Sequence, residues 1–123
     1  MTPAVFVAAM LGCGFGAVIR FALGALRREH HLPWPTLLAN LLGTALLGAA
    51  GALLDNGTLS STAAFIVGGG VAGGLTTFST LAVDSVVLWR GSRRNAVLYV
   101  AITGVAGAAS GALGWAIASA ITA

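Results

Sequence analysis

Four long apolar runs dominate the chain: Ala4 to Leu26, Trp34 to Leu54, Thr62 to Trp89 and Asn95 to Ile121. About 20 apolar residues in helical form cross the hydrocarbon of a bilayer, so each run predicts one transmembrane helix. Polar residues gather between them in "RREHHLP", "DNGTLSS" and "RGSRR". Each connector is long enough only for a turn, so consecutive helices run antiparallel. The pattern predicts an all-α integral membrane protein, with residues 1–123 forming one four-helix domain. No positively charged segment precedes the first run, so it is expected to remain a helix rather than a cleaved signal.

The third run contains the sharpest irregularity. "VGGGVAGGLTT" places five glycines between Gly68 and Gly74, and glycine is costly inside a helix. Thr76 and Thr77 follow, with hydroxyls that compete for backbone carbonyls. A helix break near Gly73–Thr77 is the expected result. At mid-membrane such a break frees carbonyl and N–H groups, which are tolerated only when buried in protein or satisfied by an ion or water. A kink eased by threonine hydroxyls is the simpler alternative. Beyond the break, Ser79 and Thr80 add hydroxyl donors, and Phe78 stands among them with an electropositive ring edge.

Other polar residues inside the spans are few, so each is a candidate for function. Arg20, Asn40, Asp84 and Tyr99 all fall roughly 9 Å below one membrane surface at the helical rise per residue. Thr103 follows Tyr99 by one turn. This layer reads either as an Arg20–Asp84 ion pair with Asn40 as interhelical glue, or as a polar vestibule whose cation attracts anions.

Charge sharpens the picture. Only 7% of residues are charged, and the formal net charge is +3. A soluble domain of this size carries about 25% charged residues, so composition excludes one. The six basic residues are all arginine, and five lie in the first and third connectors. That is a topology signal rather than a nucleic-acid patch, and it predicts that connectors 27–33 and 90–94 face the cytoplasm. Trp34 and Trp89 flank those connectors as an aromatic belt. Gly12/Gly16, Gly69/Gly73, Gly70/Gly74 and Gly107/Gly111 form small-xxx-small pairs suited to close helix packing. Four helices make a thin bundle, so a dimer is expected. Cys13 is the single cysteine and reads as a small hydrophobe. His30 and His31 lack further metal ligands, and no nucleophile stands beside an orienting base, so no enzyme is expected.

Three blocks carry a resemblance: "GCGFGAVIRF" (12–21), "PTLLANLLGTALLG" (35–48) and "GGLTTFSTLAVD" (73–84). Their order and spacing resemble the Fluc (CrcB) fluoride channels over nearly the whole chain. The resemblance implies a plasma-membrane channel that exports cytoplasmic fluoride passively through pores in an antiparallel, dual-topology dimer. It implies fluoride-pathway roles for Asn40, Phe78, Ser79, Thr80, Tyr99 and Thr103. It places Arg20 in the vestibule and Asp84 where the family usually has glutamate. It also implies a structural Na+ held by the backbone carbonyls of Gly73 and Thr76. Leu81 departs from the family's second phenylalanine, so one aromatic of each pair is absent. The arginine bias departs from the balanced loops of dual topology. Pairing with an oppositely oriented paralogue is therefore expected beside homodimerisation. A small multidrug or cation antiporter is the rival; it requires a carboxylate in the first helix, which holds Arg20 and no acid. A non-conducting assembly subunit is the other rival, and it leaves the hydroxyl run unexplained.

Overall fold

The computed structural model describes residues 1–26 and 32–123. Arg27, Arg28, Glu29, His30 and His31 lie outside the described residues, and with them most of connector 27–33. Helix α1 spans Pro3–Ala25 and α2 spans Trp34–Asp55. The third span begins with α3 (Ser61–Ala64), continues as a π-helical stretch (Phe65–Ala72) and ends its first half with α4 (Gly73–Leu75). Its second half is α5 (Phe78–Gly91), and α6 spans Arg93–Thr122. Four spans are long and apolar enough to cross a membrane, the third being Ser61–Gly91. They match the four apolar runs to within a few residues at each end.

Local chemistry sets the ends. Pro3 and Pro35 sit in the first turns of α1 and α2, where a missing N–H is harmless. Just past the end of α2, Gly57 has a φ of 76°, the left-handed conformation that glycine adopts without strain. Ser60, Thr77 and Ser92 cap α3, α5 and α6 by accepting from the N–H three residues on.

Packing follows the small residues in two pairs. Helix α1 lies against the first half of the third span. Gly74 faces the Cys13 backbone, Gly16 faces Val71 and Leu75, and Gly70 faces Ala9. Backbones meet where any Cβ would collide with main-chain atoms. Helix α2 lies against α6 in the same manner, Gly48 on Gly111 and Gly114 on Ala45. Gly12/Gly16 and Gly70/Gly74 therefore act as predicted, and Gly111 packs against α2. Gly69 and Gly73 are exposed, and a Cβ on Gly107 would meet nothing within 4 Å. These glycines make no helix–helix seam in the single chain.

Most large apolar side chains point outward. In α1 only Ala9 and Gly16 are buried, while Phe6, Met10, Leu11, Phe15 and Phe21 are exposed. This inverts the soluble pattern and matches a lipid solvent.

Candidate functional site: the break in the third span

Thr76 (φ −79°, ψ 154°) and Thr77 (φ −150°, ψ 126°) are extended. They interrupt a 31-residue span close to its midpoint, so a true break replaces the simple kink. The glycine run itself does not break. It forms the π-helical stretch upstream, and the interruption falls on the threonines.

The freed backbone groups have specific partners. Thr77 N–H donates to Asn40 Oδ1 at 2.7 Å, and Asn40 Nδ2 donates back to Thr77 O at 3.2 Å. One carboxamide thus pairs with both backbone groups of one residue as a neighbouring strand would. Arg20 Nε donates to Gly74 O at 3.1 Å. Thr76 N–H and Thr76 Oγ1 both donate to Ala72 O at 3.0 Å, and Oγ1 also reaches Gly73 O at 3.4 Å. Thr77 Oγ1 accepts from Thr80 N–H at 3.2 Å and donates to Thr80 Oγ1 at 3.1 Å, with Ser79 Oγ 3.3 Å away. The Phe78 and Ser79 N–H groups open the first turn of α5, where a helix has no internal acceptor for them.

The polar layer resolves into two clusters. Arg20 and Asn40 serve the break. Asp84 lies further along α5, where its Oδ2 accepts from Thr36 Oγ1 at 2.8 Å and from Tyr99 OH at 3.5 Å. Arg20 and Asp84 are therefore engaged separately, and the ion pair offered by the sequence does not form. Asp84, Thr36 and Tyr99 are buried. No buried side-chain nitrogen or oxygen among the described residues lacks a hydrogen-bond partner.

A cavity of about 390 Å³ opens at the break, lined by Asn40, Thr44, Thr76, Thr77, Phe78, Leu81 and Thr103, with Gly104 and Gly107 in its wall. Phe78 is 80% exposed, so it has no place in the core of its own chain. Thr103 lines the cavity, but its hydroxyl donates to Tyr99 O at 2.8 Å. Tyr99 itself is buried against Asp84 rather than in the cavity wall. Ser79 is exposed and Thr80 half-buried on the first turn of α5.

Thr36 and Thr44 were not singled out in the sequence. Each lies one helical turn from Asn40, so the i±4 stripe through that residue was the available signal. Thr44 Oγ1 donates to Asn40 O at 2.9 Å, which commits its proton. No group of three or more His, Cys, Asp or Glu side chains able to hold a metal occurs among the described residues.

A four-span helical protein with one span interrupted midway, and a helix N-terminus and hydroxyls at the interruption, belongs to the class of membrane transport proteins with discontinuous helices. More narrowly, the chain belongs to the CrcB family. The family model described as "CrcB-like protein, Camphor Resistance (CrcB)" matches residues 7–115. A relative from Bordetella petrii, named fluoride-specific ion channel FluC, is 37% identical over 123 residues, covering 98% of this chain and 96% of its own. One of the same name from Renibacterium salmoninarum is 34% identical over 85% of this chain and 90% of its own. A third, from Thermus thermophilus, is 39% identical over 72% of this chain and 74% of its own.

Proposed function

We propose that this protein is a fluoride channel subunit that lets the anion leave the cytoplasm passively, with the break in the third span as its selective element. The observation that carries the reading is the meeting of Asn40, Thr77 and Phe78 in one cavity at the start of α5. Fluoride is small and holds its water tightly. A pore must replace that water with hydrogen-bond donors.

The first turn of α5 supplies donors of three kinds. Its unpaired N–H groups and positive dipole end favour an anion. Ser79 and Thr80 add hydroxyls whose protons, unlike those of Thr44, Thr76 and Thr103, are not committed to a helix carbonyl. Asn40 fixes Thr77 with one amide hydrogen and retains a second, since a carboxamide nitrogen carries two. The Phe78 ring edge adds a weak electropositive contact. Tyr99 and Thr103 contribute by support, Tyr99 through Asp84 and Thr103 through the cavity wall. Leu81 stands in the wall where a second aromatic is expected, so ring contact rests on Phe78.

Sodium fits the donor set. Gly74 O is engaged by Arg20 and Gly73 O takes a 3.4 Å contact from Thr76 Oγ1; the carbonyls of Gly73 and Thr76 are the oxygens that would hold the ion, and hard oxygen donors suit hard cations. Two carbonyls are too few for a complete shell, so a second copy would supply the rest. When bound, the ion would supply a fixed positive charge beside the anion path. Arg20 and Asn40 hold the carbonyl-bearing backbone in place.

The open face at Gly69, Gly73 and Phe78 supports a dimer, and the arginine bias supports one dominant orientation with connector 90–94 in the cytoplasm of a plasma-membrane protein. The test is reconstitution of the single purified chain in liposomes. Fluoride efflux read by an ion-selective electrode, with chloride retained, is the expected result. Equal loss of both halides would sink the reading.

A further inference from the structure

A groove of about 580 Å³ runs along the seam between α5 and α6, away from the break. Val86, Val97, Val100 and Ala101 give it apolar walls, with Trp89 and Arg90 in its lining. Its remaining polar group, Ser85 Oγ, donates to Leu81 O at 2.6 Å. The walls therefore offer a polar guest nothing, and hydrocarbon a full contact surface.

The rim of the groove has the opposite character. Arg90 lines it directly, and the Arg93 guanidinium lies 5.3 Å from the centre of the Trp89 ring. Arg94 follows in the same turn. Neither Arg90 nor Arg94 has a carboxylate partner among the described residues. Trp89 is half-exposed, as a residue at the headgroup level is. A chain with one hydrocarbon tail and one anionic head matches both ends together.

We propose that this groove holds an anionic phospholipid, an acyl chain between α5 and α6 and its phosphate against Arg90 and Arg93. The occupant bridges two helices that also shape the ion cavity, α5 through Phe78 and α6 through Thr103. The site is independent of which ion the protein carries.

The experiment is native mass spectrometry of the full-length chain in mild detergent, offered phosphatidylglycerol, phosphatidylcholine or inorganic phosphate. Retention of phosphatidylglycerol over phosphatidylcholine by a factor on the order of ten is expected, given the contribution of each arginine near an anionic surface. Arg90→Gln with Arg93→Gln should abolish that preference. Val97→Trp should fill the groove and lower retention of both lipids at unchanged oligomeric mass. Equal retention of the two lipids overturns the proposal, as does a preference that survives the arginine changes. Retention of inorganic phosphate alone to the same extent as phosphatidylglycerol shows an ion site without a tail. A changed oligomeric mass in Val97→Trp makes the groove a subunit interface. Either result rejects the lipid.

Discussion

Asn40 does the work of a missing strand. Its two bonds to Thr77 hold an extended residue in place in a helical protein, and its loss leaves two half-buried backbone groups without their partner, at up to about 1–3 kcal/mol each. Asn40→Ala should therefore remove fluoride flux and lower thermal stability together. Asn40→Asp keeps the acceptor for Thr77 N–H and loses the donor, so flux should fall further than stability. Paired electrode and melting measurements separate the two effects. Thr103→Val is the contrasting case. Its hydroxyl serves its own helix, so flux near wild type is expected; a collapse would make it a direct ligand. Phe78→Ile should cut throughput with stability changed by less than about 0.5 kcal/mol, as for a residue outside the core. The type of each of these residues was legible in the sequence, but their partners were not. Arg20 and Asp84 share a depth on a helical ruler, yet only rotation of each helix decides that one meets Gly74 and the other Thr36 and Tyr99.

The third span explains where element-level reading succeeds and where it stops. Its glycines and threonines announced a break, and one exists. The π-helical stretch was not legible, because the sequence cues for a widened turn are those of any small-residue run. The glycines serve contact rather than breakage. Gly74→Ala would push a Cβ into the Cys13 backbone, which cannot withdraw like a side chain. Loss of several kcal/mol, seen as aggregation or a sharply lowered melting temperature, is expected. Gly14→Ala meets nothing within 4 Å and should be neutral or stabilising by about 1 kcal/mol. Similar losses for both would deny that contact sets the requirement.

For the whole molecule, hydropathy alone gave the four spans, since a lipid solvent makes apolar length a direct signal. The pairing of α1 with the first half of span three, and of α2 with α6, depends on which glycine of each pair faces inward. Gly69 and Gly73 remain open in the single chain and suit a partner's approach. If insertion is one-way, cysteine labelling at Ser92 and at Gly57 from opposite sides of intact cells should each give one accessible face. Equal labelling from both sides would mean dual insertion, with homodimers then sufficient for conduction.

Interrupting a helix midway creates two ends facing each other, and those ends have opposite electrical sense. The upstream half of span three offers oxygen atoms at its finish, and the downstream half offers hydrogens at its start. A single discontinuity two residues long is thus hospitable to a cation on one side and an anion on the other. Moving Thr76 and Thr77 by one position along the span would shift both hospitalities at once.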